Sequence, residues 1–431
     1  MFAANVAVKH LVNLVVVDDV VWVWQCDRQG TIIECSGINF IEDLQRFMPA
    51  LLYASQRFSL VDWGRNADFK HDEKNDSHKL IIDDVDLELH KDGMTHYGLK
   101  EYATNVFPVT SEKLANDNPD IAKDGMVAKV FWAEEQRTSE PDILRKVYEI
   151  AEGQDDVKGH VPHLLWHHKF KEPMSKIREA LGVSEPAEGS CVLYILVFRK
   201  LQPITELKGI EFFDAWRQCI MCHYALWQAG VHHRDVSPSN MMWYRKGRIL
   251  MGVLNDYDLS SLADAQGPQG NECTGTIPFM ALDLLTEEGQ RGEVKHLYRH
   301  DLESFVWVLV WVSLRYKDGQ LLPRKSRPFD AWATVDAETC GDKKLSFQSR
   351  FLEYNSSDVN QYMWELVMDC LHVLKTDAHR RGKCQFKQAR LRRQAGAGGQ
   401  IMVGEIELDD RKFLDLFTST DAWVQLSSSL Q

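Results

Sequence analysis

The sequence predicts an α+β protein of two lobes, with strands in the first half and long helices in the second. Three observations predict it. Apolar runs of strand length, such as "MVAKVFW" at 126–132 and "SCVLYILVF" at 190–198, lie before position 200. Long apolar-striped stretches at 209–230, 299–316 and 359–375 follow it. The 431 residues are 44% hydrophobic and 26% charged, which is enough apolar material for a large core. A cleft between the two lobes is expected, and no internal repeat is visible.

At the N-terminus "LVNLVVV" and "VVWVWQC" read as strands, with "DRQG" as a turn. Lys9, His10, Asp18 and Asp19 break this apolar stretch, which is too short for a membrane span and carries no small-residue cleavage site. Residues 39–58 read as a helix interrupted by a proline. Residues 64–92 are polar and charge-rich, and read as an exposed connection or hairpin. They set the expected boundaries: an extension at 1–92, a main domain at 93–384 divided near 200, and a flexible link with a tail at 385–431. Residues 140–152 form an amphipathic helix, 190–198 a buried strand, and 209–230 a long helix stopped by Gly230.

No stretch reaches 18 apolar residues, so the expectation is a soluble intracellular protein of cytoplasm or nucleus, with no membrane partner and no secretion. Nine cysteines, odd in number and without a repeating spacing, read as free thiols. Cys219 and Cys222 fall inside a helical pattern and read as small buried residues. A formal net charge of −13 argues against nucleic acid as a partner. The exception is the run "HRRGKCQFKQARLRR" at 379–393, which reads as a solvated end of the fold, with nuclear targeting or nucleic-acid contact as the other reading.

The chemistry concentrates in "HHRDVSPSN" at 232–240. Asn240 follows Asp235 by five residues. A two-strand hairpin turning at Lys246-Gly247 then leads to "VLNDYDLS", which delivers Asp256 at a strand end. Phosphoryl transfer asks for such a set. One carboxylate must meet the attacking hydroxyl, and further oxygens must hold the magnesium ions that offset phosphate charge. Asp235 suits the first task, and Asn240 and Asp256 suit the second.

"HRDVSPSN" matches the protein-kinase catalytic loop H-R-D-x-x-x-x-N, and "DYD" stands where D-F-G stands. "TGTIPFMALDLL" at 274–285 is similar to the segment closing an activation loop, and "YRHDLESFVWVLVW" at 298–311 to the helix whose aspartate, here Asp301, anchors the catalytic loop. "MVAKVFW" is similar to the strand carrying the V-A-I-K lysine. With "GRNADF" near the N-terminus, the combination resembles the fungal-type protein kinases over most of the chain, most sharply across 126–311. The resemblance implies a bilobal protein-kinase-like fold with an α/β N-terminal extension, ATP and Mg²⁺ as cofactors, and a protein substrate modified on Ser or Thr rather than Tyr.

It also implies roles. Asp235 is the catalytic base beside Arg234. Asn240 and Asp256 hold metal. Lys129 contacts phosphates and pairs with Glu140, with Glu134 and Glu135 as competing partners. Phe198 and Arg199, with Lys200, form the hinge that holds adenine. Arg234 pairs with a phosphorylated loop residue, Thr274 among the candidates Ser260, Ser261 and Thr276, while Thr276 bonds near Asp235. Asp283 replaces a glutamate and pairs with Arg380 or Arg381.

The departures are specific. The glycine-rich phosphate loop is missing, since Gly98 is the one glycine in 97–113. Ser237 stands where many kinases carry a lysine. Asp258 replaces the last glycine of D-F-G and adds a possible metal ligand. Two other readings therefore stay open: a pseudokinase that works as a scaffold, and a small-molecule phosphotransferase.

Overall fold

Side-chain alternation builds the first sheet. The computed structural model describes residues 7–27, 32–34, 37–91, 94–95, 104–135, 137–171, 174–180, 182–183, 190–263, 275–353, 361–395 and 408–430. The chain divides into two units, Met1–Ser139 with His163–Lys200, and Glu140–Pro162 with Leu201–Gln431.

In the first unit, strands run in the order Leu164–Lys169, Cys191–Arg199, Met126–Glu134, Asn105–Thr110, Val85–His90, Ser77–Ile82 and Lys70–Asp72. Each neighbouring pair is antiparallel. Cys191–Arg199 is apolar on both faces because both faces are covered, and residues 191–198 are all buried. The charge-rich stretch 64–92 supplies three of these strands. Leu80 and Ile82, on either side of the exposed Ile81, and Val85, Leu87 and Leu89, which alternate with Asp86 and Glu88, point into the core. Glu88 and Leu89 pair with Thr110 and Val109, so this hairpin joins the same sheet as the strands beyond position 92. Composition concealed this, because the apolar residues are few among the charged and polar ones of 64–92.

A smaller sheet holds Leu11–Val17, Val20–Cys26, Ile32–Glu34 and Ile38–Asn39, and the helix Leu44–Arg57 follows with Pro49 inside it. At the end of this sheet Asp27 accepts hydrogen bonds from the Arg178 guanidinium at 2.7 and 2.8 Å. Both residues are buried.

The second unit is helical around one hairpin. Helix Gly209–Gln228 packs on the strands Met241–Lys246 and Ile249–Leu254. Gly252 permits the approach: a Cβ there would stand 2.4 Å from the Ala215 carbonyl oxygen and 2.9 Å from its Cα. Both are backbone atoms that cannot step aside. Gly252→Ala is therefore expected to destabilise the unit by about 1–3 kcal/mol through overpacking. Urea unfolding measures it, and an unchanged midpoint would show that the helix shifts at no cost.

Helix Tyr298–Arg315 is buried on nearly every side. Trp216 Nε1 ties it to the first helix by donating to Phe305 O at 3.0 Å. No helix among the described residues is long and apolar enough to cross a membrane. Helix Gln361–Ala395 continues well past the stretch that periodicity marked, because its polar second half is solvated rather than packed. The helices Asp410–Thr418 and Asp421–Ser428 then return to the core. Trp423 is 5.5 Å from the Phe213 ring and 5.4 Å from that of Trp216.

Candidate active site

The hairpin register puts Met241 opposite Leu254, so Asn240 and Asn255 meet where its ends come together. Asn255 N donates to Asn240 O at 2.8 Å. His233 closes the same junction. It is 1% exposed, and burial pushes its imidazole down to about 4, so the ring is neutral at physiological pH. Its partners assign the tautomer: Nε2–H donates to Asn255 O at 3.0 Å, and Nδ1 accepts the Asp235 N–H at 3.4 Å. Ser260 is buried and donates to His233 O at 3.2 Å.

Arg234 takes a left-handed backbone, φ 70°, which is a strained conformation for a side-chain-bearing residue. Asp301 holds it there. Asp301 Oδ2 accepts Arg234 N at 3.2 Å and His223 Nε2 at 2.8 Å, while Oδ1 accepts His296 Nε2 at 2.6 Å. Burial alone would raise the Asp301 carboxyl. The charge and hydrogen bond of His296, with those of His223, outweigh burial and hold it well below the usual carboxylate range. Sequence reasoning singled out neither histidine. The available signals were a histidine in an apolar helix, and another five residues before Asp301.

Asp235 is partly exposed and fixed on both oxygens. Oδ1 accepts Thr276 N and Thr276 Oγ1, each at 2.9 Å. Oδ2 accepts Asn240 Nδ2 at 2.9 Å, and the same amide nitrogen donates to Asp235 O. Desolvation pushes this carboxyl above its ordinary value, with the Asp256 charge adding to the rise, while the bonds from Thr276 and Asn240 oppose it. Ser237, buried in the same loop, meets Ser239 at 2.8 Å.

Asp256 follows the second hairpin strand and also has a left-handed backbone, φ 67°. Asp258 N donates to Asp256 Oδ1 at 3.3 Å. Between them Tyr257 is wholly buried, with its ring 5.1 Å from that of His233. Tyr257 N donates to Glu140 Oε1 at 3.1 Å, which fixes the buried Glu140 at the start of helix Glu140–Gly153.

The side-chain oxygens of Asn240, Asp256 and Asp258 are donors of the kind that a magnesium ion would take. Asn240 uses its amide hydrogens on Asp235, which leaves the carboxamide oxygen for a cation. With the carboxylates at 256 and 258 the donors are all oxygen, the set that magnesium takes. Among the described residues, no group of three or more His, Cys, Asp or Glu is placed to hold a metal ion.

The remaining expected site residues lie in the first unit. Lys129, in strand Met126–Glu134, is buried with Nζ 4.6 Å from the Phe131 ring. Phe198 pairs with Val127 and is 8% exposed. Arg199 forms an ion pair with Asp124, and Lys200 N donates to Gly125 O. Gly98 and Thr274 lie outside the described residues. Where a glycine-rich hairpin was absent from the sequence, residues 105–110 form a strand containing Pro108, and a short helix capped by Ser111 follows. Farther along the second unit, Asp283 bonds Arg381 at 2.9 Å and Arg299 at 2.6 Å. Arg380 turns to Asp377 instead.

A family model described as "Fungal protein kinase" matches residues 1–191 and 191–313. The chain belongs to the fungal protein kinase family. No curated protein sequence matches it. For this fungal protein kinase the match takes in both sheets of the first unit, the loop at 232–240 and Asp301. The Asp283 partner Arg381 and the C-terminal helices lie beyond the matched residues.

Proposed function

We propose that the chain transfers the γ-phosphoryl group of ATP to Ser or Thr hydroxyls of a protein substrate. The observation that carries this reading is the fixed carboxylate of Asp235, which takes Thr276 on one oxygen and Asn240 on the other. Asp235 orients the acceptor hydroxyl and takes its proton as the new bond to phosphorus forms. Arg234 keeps the loop in register through its backbone bond to Asp301. Asn240 and Asp256 hold magnesium, and Asp258 is a further oxygen for it. A bound magnesium ion would offset charge on the phosphate oxygens. Lys129 contacts the phosphates, and the strand end at Phe198 and Arg199 receives the adenine.

A second reading, a scaffold that does not transfer phosphate, is favoured by the missing glycine-rich loop, since Gly98 is the one glycine in 97–113. The experiment is Mg²⁺-dependent ATP turnover and autophosphorylation by the purified protein beside Asp256→Ala. Losing this ligand should lower turnover about 10²–10³-fold, the scale set by removing one charge-stabilising group. If wild type and variant are alike, and Mg-ATP gives no thermal shift with either, the scaffold reading replaces the kinase one.

A further inference from the structure

The segment just after Thr276 is gripped from two sides. Helix Ala337–Arg350 presents Cys340 and Lys344 one turn apart. Cys340 Sγ lies 3.9 Å from Ile277 O, and Lys344 Nζ donates to Met280 O at 2.5 Å. From helix Tyr298–Arg315, Glu303 Oε1 accepts Leu282 N at 2.9 Å and Trp307 Nε1 at 3.0 Å. Lys344 is 0% exposed and Glu303 6%. The lysine stands 4.5 Å from the Trp307 ring and 5.9 Å from that of Trp332.

Stability is a poor reason to bury these two side chains. Well-packed apolar replacements of buried charges are often as stable or more so. Both groups carry the strain of desolvation. Burial pushes the Lys344 amine down to about 7, against the pull of Glu303 and Cys340. Burial pushes the Glu303 carboxyl up, with Asp283 adding to the rise and Lys344 opposing it. Asp283 is itself bound to Arg299 and Arg381. What Lys344 and Glu303 share is a grip on backbone atoms of one short segment. That segment begins next to Thr276, which bonds Asp235 twice. A shift in 277–282 therefore displaces the backbone beside that carboxylate, which Asn240 still holds from its other oxygen.

We propose that Lys344 and Glu303 are positioning residues that pin the 277–282 backbone, so that Thr276 and an acceptor chain line up on Asp235. This rests on the kinase reading above. The test compares wild type, Lys344→Met and Glu303→Gln, using casein as acceptor, ATP hydrolysis to water without acceptor, and amide exchange over 277–285. Lys344→Met should raise the acceptor KM about tenfold with the ATP KM and hydrolysis to water unchanged. Its 277–285 amides should exchange about tenfold faster. Glu303→Gln keeps an acceptor oxygen for Leu282 N and should fall between wild type and Lys344→Met. Unchanged exchange and unchanged acceptor KM would overturn the proposal. So would equal losses of both activities with a lowered Tm, which mark a merely structural role. A wild type that turns over no ATP overturns the acceptor role through the kinase reading. Faster exchange in Lys344→Met would then still separate that failure from a failure of the grip itself.

Discussion

Asp235→Asn is expected to lower phosphoryl transfer by about 10²–10⁴-fold, the range for losing a positioned proton acceptor. The geometry makes this substitution more than a loss of basicity. One oxygen of Asp235 receives two donors from Thr276, and the other receives the Asn240 amide. A carboxamide has a single oxygen. If it faces Thr276, its own NH₂ confronts the NH₂ of Asn240. Asn240 must then turn over, which carries its oxygen away from the position left for magnesium. The variant should therefore also need more Mg²⁺ to reach its residual rate. Single-turnover assays across a magnesium series measure both effects. Because desolvation raises the Asp235 carboxyl, the acid limb of the wild-type rate profile should lie above the ordinary 3.8 and vanish in the variant. A rate within tenfold of wild type at saturating magnesium would remove Asp235 from the role of base.

Asp301→Asn is expected to cost about 3–5 kcal/mol in stability, the scale for breaking a buried charged group away from its partners. Arg234 N, His223 and His296 all converge on this one carboxylate. The variant offers one acceptor where three donors meet, and Arg234 would lose the bond that holds its left-handed backbone. Transfer activity should fall with stability, because the same bond sets the position of Asp235. The pH dependence has a definite sign. The Asp301 carboxyl is lower in the folded chain than its ordinary 3.8, so its contribution is fully present above that value and fades as pH falls through the folded one. Wild type and variant should melt far apart at neutral pH and converge on acidification. An equal melting temperature at neutral pH, or curves still parallel as the pH is taken well below 3.8, would show that Asp301 is not the keystone of the loop.

The parts of the site legible in the sequence are those fixed by short spacing. Asp235, Asn240 and Asp256 belong to one loop and one hairpin, so their order along the chain already encodes their meeting in space. Thr276 could be placed near Asp235 on the strength of a resemblance, and both of its donors do bond there. The α+β division was legible too, because unbroken apolar runs before 200 and long stripes after it differ in length. What remained hidden comes from distant segments or from alternation too sparse to stand out. His223 reaches Asp301 from 78 residues away, and Lys344 reaches Met280 from 64. His223 leaves only the faint signal of a histidine in an apolar helix, and Lys344 leaves none. The acidic stretch at 64–92 reads as surface until Leu80, Leu87 and Leu89 are seen to share one face of a sheet.

Phe413, Leu414, Phe417, Ala422, Trp423 and Leu426 belong to the buried core of the second unit, beside residues from 204 onward. During synthesis that core cannot close when the loop at 232–240 emerges, nor when helix Tyr298–Arg315 does. Its last wedges arrive only after more than a hundred further residues have been made. Until Trp423 leaves the ribosome, Phe213 and Trp216 keep an uncovered aromatic face, a natural target for chaperones. A chain that stops short of Asp410 would therefore keep that aromatic face open and be prone to aggregate, because helices Asp410–Thr418 and Asp421–Ser428 are what cover it.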